Sequence, residues 1–112
     1  MPNDPGIICT AIAVSALNVT VRDAASGASV CDATVIALEN TGPTHDLRQT
    51  GACTYAGAEE RSGPFTVVVI APGYKLARVD GIQVGRDECH VIPVQVTVPV
   101  EVCPPGCDPE PF

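Results

Sequence analysis

Apolar and polar residues alternate along most of this chain. In "LNVTVRD", Leu17, Val19 and Val21 fall on one side of an extended backbone and Asn18, Thr20 and Arg22 on the other, the pattern of a strand half in a core and half in water. That alternation predicts a long first strand over residues 9–23. "CDATVIALEN" puts Ala33, Val35 and Ala37 on one face and Thr34, Ile36 and Leu38 on the other. "PFTVVVIA" is apolar on both faces, as expected of a central strand. In "HVIPVQVTVPVEV", Ile92, Val94, Val96, Val98 and Val100 are expected inward, with Pro93, Gln95, Thr97 and Pro99 outward. Proline cannot donate to a ladder, so part of this strand belongs at a sheet edge. Between these runs, "YKLARVDGIQV" is a further strand, and the polar stretch 45–63 holds short edge strands around Leu47 and Tyr55. Residues 1–8 are an extended or disordered lead, 9–102 one β-sandwich domain and 103–112 an irregular tail.

Composition sharpens this picture. Valine occurs sixteen times and leucine four, and β-branched side chains favour pleated sheet. The 11 Pro and 10 Gly stand between the apolar runs as punctuation. About seven short strands in one small domain give an all-β class, two antiparallel sheets packed face to face with Greek-key connections.

Six cysteines without zinc-ribbon spacing read as a disulfide framework, and such bonds persist where the surroundings oxidise them. The net charge of −7 argues against nucleic acid as a partner. No apolar run approaches the roughly 18 residues of a membrane-spanning helix. "MPNDPGIIC" lacks the basic start of a secretory signal, so residue 1 is expected to follow a signal already removed. The expected location is extracytoplasmic: secreted, periplasmic or lipid-anchored as a lipoprotein.

The order of motifs is more specific. "ALNVTVRDAASGASVCDATVIAL", then "GPFTVVVIAPGY", then "GIQVGRDECHVIPVQVTV" resembles the carboxypeptidase regulatory-like domain, a transthyretin-like (prealbumin-like) β-sandwich. The residues carrying the resemblance are Asp23, Gly27, Ala33, Val35, Gly63, Phe65, Pro72, Gly73 and Tyr74. It implies that fold and an accessory, non-catalytic role. Independently of any family, Pro72 fixes the first central position of a turn and Gly73 can take the positive φ of a type II turn at the second. Tyr74 then sets its ring at the sandwich edge, its hydroxyl directed to water or a backbone group.

The residues themselves bear on several chemistries. Two His and two Tyr would suit the ferric site of intradiol dioxygenases, but His45 and His90 lie 45 positions apart rather than as a close pair; His45 is expected exposed in a turn and His90 at a strand edge. The C-terminal "CDPEPF" does not match hydroxyisourate hydrolases, and Lys75, the sole lysine, has no downstream Asn for an isopeptide bond. Cys89 and His90 are adjacent and would point to opposite faces of a strand. The acids Asp23, Asp32, Asp80, Asp87 and Glu88 lack a calcium-loop pattern and are expected to be solvated. Glu59 or Glu60 is expected to pair with Arg61 or a neighbouring strand in a solvated loop. No catalytic residue, cofactor or metal is assigned. The expected function is a non-catalytic exported module binding an unidentified protein or cell-envelope ligand; the alternative is a small extracellular hydrolase or carbohydrate-acting enzyme, for which the chain is poor in aromatic platforms.

Strand direction suggests the cysteine pairing. The chain turns back at Gly27 with Cys31 at the end opposite Cys9, and a later strand through Leu47 brings Cys53 to the same end as Cys31. If the last strand runs parallel to the first, Cys89 starts beside Cys9. Cys31 then pairs with Cys53, Cys9 with Cys89, and Cys103 with Cys107 in a local turn.

Overall fold

The computed structural model describes residues 12–40 and 42–104. All regular structure among them is strand: β1 (Ser15–Asp23), β2 (Thr34–Glu39), β3 (Thr44–Asp46), β4 (Arg48–Thr50), β5 (Thr54–Glu59), β6 (Gly63–Ile70), β7 (Ala77–Val84) and β8 (Val94–Val100). Two four-stranded sheets, ordered β4-β5-β1-β8 and β3-β2-β6-β7, pack as a sandwich. The class is therefore all-β, with eight strands.

In β1 and β2, and at Val98 and Val100 of β8, the inward set is the one the alternation selects. Leu17, Val19, Val21, Val35, Ala37, Val67, Val69, Val98 and Val100 form one buried cluster between the sheets, so the pleat itself sorts core from surface. Phe65 and Tyr55 are the largest fully buried side chains.

Several boundaries differ from the sequence reading, each for an identifiable reason. β1 begins at Ser15; residues 9–11 of the expected strand lie outside the described residues, and Val14 leaves the ladder. Its carbonyl accepts from the Glu60 amide at 2.9 Å, and its own amide donates to the Glu60 carboxylate at 2.9 Å. The polar stretch holds β3 and β4 in different sheets, and Leu47 between them is where the chain crosses. Its amide donates to the Val35 carbonyl at 2.9 Å, and its side chain lies against Gly57, where a Cβ would meet Leu47 Cδ2 at 2.6 Å. β5, around Tyr55, is not an edge strand but pairs on both sides, with β4 and β1.

β8 runs parallel to β1, Leu17 opposite Val94 through Asp23 opposite Val100, so this sheet is mixed rather than antiparallel throughout. Among the described residues no strand pairs with the other side of β8, which accommodates Pro99. Ile92 is 52% exposed rather than inward. It precedes β8 in a small hairpin of its own, its amide bonded to the Gly85 carbonyl and Arg86 bridged to Val91. Val94 and Val96 are only partly buried, because the edge of the sandwich opens there.

Candidate functional site

Hydrogen-bonded groups of polar side chains lie at both ends of the sandwich. At the end where β1 finishes, Ala71–Tyr74 form the predicted turn: the Tyr74 amide donates to the Ala71 carbonyl at 3.1 Å, and Gly73 has φ 81°. That is the type II geometry a Pro-Gly pair favours. The Tyr74 hydroxyl goes neither to water nor to backbone; it donates to Asp23 Oδ2 at 2.8 Å across 51 residues of sequence. Asp23 Oδ1 accepts from the amides of Ala25 at 2.8 Å and Ser26 at 2.9 Å, closing the turn that leads to Gly27. The Ser26 amide first, and the Tyr74 hydroxyl next, hold the Asp23 carboxyl below its ordinary range. Residues beyond the turn join β8's continuation: Cys103 donates to the Gly73 carbonyl and Lys75 to that of Glu101, both at 2.8 Å.

At the same end Cys31 and Cys53 form a disulfide with a Cα separation of 4.6 Å. Tyr55, two residues beyond Cys53, reinforces it. Its buried hydroxyl donates to the Val30 carbonyl at 3.0 Å and accepts from the Ala33 amide at 3.1 Å. The loop bearing Cys31 is thus held from both flanks. Cys89 and Cys103 are also disulfide-bonded. The pairings expected for them, with Cys9 and Cys107, involve residues outside the described range.

The opposite end carries two carboxylate-imidazole-guanidinium sets. Glu60, at φ 56°, lies in the left-handed region that few non-glycine residues occupy. Its Oε2 accepts from Val14 N at 2.9 Å and bonds His90 Nδ1 at 2.5 Å. Oε1 accepts from Val91 N at 3.2 Å, with Arg86 at 3.7 Å. The hydrogen bond from His90 is the chief cause that holds the Glu60 carboxyl below its ordinary value. Glu60 therefore joins the lead into β1, the β5–β6 turn and the β7–β8 connection through one side chain. Glu39 receives Arg61 in a two-pronged contact, Nε at 2.7 Å and Nη at 3.0 Å, and His45 Nε2 at 2.6 Å. Arg61 first and His45 second bring its pKa down to about 2.

These placements correct several expectations. His45 is a partly buried residue of β3, edge-on to Phe65 with ring centroids 6.2 Å apart, not an exposed turn residue. His90 sits in the β7–β8 connection, not on a strand, and is partly buried. Arg61 pairs with Glu39 rather than Glu59 or Glu60, whereas Glu59 follows the other half of that expectation and pairs with a neighbouring strand, taking Arg48 of β4 at 2.9 Å. Asp87 is not merely solvated, since its Oδ1 accepts from the amides of Cys89 and His90. Asp80 holds Thr66 and Arg78. Among the described residues, no three His, Cys, Asp or Glu side chains converge as metal ligands would.

A shallow open groove of about 300 Å³, lined by Lys75, Leu76, Ala77, Arg78, Pro99 and Glu101, lies where the free edges of β7 and β8 face each other. Lys75 Nζ spans part of it to Glu101 at 3.4 Å. The sequence reading found neither Glu set nor this groove. The Glu39–His45 contact was within reach, because the two flank one hairpin; Glu60 and His90 are 30 residues apart and meet only in three dimensions.

No protein-family model matches this chain, and no curated protein matches it as a relative. Among the described residues no helix is long and apolar enough to cross a membrane.

Proposed function

We propose that this chain is a non-catalytic β-sandwich module of an exported protein, of the carboxypeptidase regulatory-like kind, with a binding or structural accessory role. The observation that carries the reading is what the polar side chains are used for. Asp23, Glu39, Glu60, Tyr55, Tyr74, His45 and His90 each fasten a turn or chain segment to its neighbour. A general base must instead be open to the proton it removes. The Asp23–Tyr74 contact also supports the family reading, since it joins two turns on which the resemblance rests. The Cys31–Cys53 bond supports an extracytoplasmic location, because such bonds persist in oxidising compartments.

The test pairs turnover with stability. Purified wild type and the His45→Ala and His90→Ala variants are carried through a broad hydrolase and oxygenase screen and through thermal melts. The expected result is lowered melting temperature in both variants and turnover in none of the three. Turnover in wild type that either substitution abolishes without changing the melt would overturn the reading and favour the hydrolase alternative.

A further inference from the structure

The chain enters the sandwich at one end and leaves it at the other. Val14 leads into β1 at the end where Glu60 sits. Because β8 runs parallel to β1, Val102 and Cys103 leave at the Asp23–Tyr74 end. The first and last strands are also neighbours in one sheet, paired from Leu17 opposite Val94 to Asp23 opposite Val100. Each end of this ladder is fastened. At the entry end the Glu60 carboxylate accepts from Val14 N at 2.9 Å and from Val91 N at 3.2 Å, so one side chain ties the lead into β1 to the lead into β8. At the exit end Ala24 N donates to the Val100 carbonyl at 2.8 Å. There the Tyr74 hydroxyl holds Asp23, while the turn before it holds the chain beyond β8, the Cys103 amide donating to the Gly73 carbonyl.

We propose that this module is a load-bearing link, in which tension passing along the chain is carried by the β1–β8 ladder in shear. Tension drawn from the two sides of the domain pulls β1 toward the entry end and β8 toward the exit end, along the strands. The hydrogen bonds of a parallel ladder are evenly spaced, so they are loaded together and must yield together. Were the two strands antiparallel, both flanks would leave from the same end of the sandwich, and the same tension would open the ladder one bond at a time. β1 is anchored on its other side by β5, from Ser15 opposite Glu59 to Thr20 opposite Thr54. β8 pairs with no strand but β1 among the described residues, so the ladder between them is where the load is decided. Forced unfolding is governed by the unfolding rate rather than by equilibrium stability, so a domain of ordinary melting temperature can serve. This role goes beyond an accessory one, since it follows from strand direction and holds whether or not the module binds a ligand.

Single-molecule force spectroscopy tests this in two pulling geometries, with handles on azide-bearing side chains so that the cysteines are untouched. Handles in place of Ile12 and Pro104 load the ladder in shear. Handles in place of Ala24 and Pro104, both at the exit end, peel it from Asp23. All three positions are exposed. Cys89, ahead of β8, is disulfide-bonded, and the bond expected for it, to Cys9 ahead of β1, would carry tension past the ladder. The pulls are therefore made on the Cys89→Ala variant and on the reduced wild type, in whichever of them thermal melts show to be folded. The unfolding force at one loading rate should be at least about twofold higher in shear than in peeling, because shear loads the bonds together and peeling takes them singly. Equal forces in the two geometries would overturn the proposal. So would loss of the fold in both C89A and the reduced chain, because the ladder would then not hold β1 to β8 unaided.

Discussion

Replacing Cys31 and Cys53 together by Ala should destabilise the domain chiefly by releasing the unfolded chain. The bridge closes 22 residues of sequence, for which the chain-entropy relation gives about 3.4 kcal/mol at 25 °C. At roughly 4 °C per kcal/mol for a domain of this size, the melting temperature should fall by about 14 °C. The folded state should change little, because Tyr55 grips the same loop at Val30 and Ala33 without the bridge. That second grip makes the reasoning testable in a double-mutant cycle. Tyr55→Phe leaves the Val30 carbonyl and Ala33 amide without the hydroxyl, at a cost of about 1–3 kcal/mol. With the disulfide intact the loop cannot move toward water, so that cost should be fully felt; without it, the loop can relax and the cost should shrink. Urea melts of the four proteins give both numbers. A loss under about 1 kcal/mol on removing the bridge would refute the unfolded-state account. Strict additivity of the two changes would refute the shared grip.

Glu39 ionises with a folded pKa of about 2 against an ordinary 4.5, so its contribution is fully present above pH 4.5 and is lost as pH falls toward 2; Arg61→Gln should move the acid-unfolding midpoint to higher pH, read by circular dichroism. Asp23 is likewise depressed, and Tyr74→Phe removes a hydrogen bond to its carboxylate, so that variant should also unfold at higher pH in acid, read by the same circular dichroism titration. Gly57→Ala should cost about 1–3 kcal/mol, since its methyl would meet Leu47 Cδ2 at 2.6 Å; Leu47→Val in that background should recover part of it, measured by denaturant melts. Elemental analysis of protein purified without added metal should find no stoichiometric iron or zinc, and one ion per chain would reverse the structural reading of the polar side chains.

Alternation by itself determined the class and most of the core. Where apolar and polar residues alternate, the inward set, such as Val35 with Ala37 or Val98 with Val100, follows from a period of two that no neighbour needs to supply. The Ala71–Tyr74 turn was equally local, because Pro72 and Gly73 carry their φ preferences with them. Tertiary structure decided whatever depended on which strands met. The period cannot say that Leu47 carries the chain from one sheet to the other, that β5 lies inside its sheet, or that Val14 pairs with a turn instead of a ladder. It was equally silent on the partners of charged groups. Arg61 is one residue from Glu60 yet binds Glu39, because β2 and β6 pair and bring Glu39 opposite Phe65. Glu60 finds His90 and Val14 only once the lead into β1, the β5–β6 turn and the β7–β8 connection have met at one end of the sandwich. A side chain's hydrophobicity is its own property, but a hydrogen bond needs a second group within about 3 Å and correctly aimed, and only the folded chain places it there.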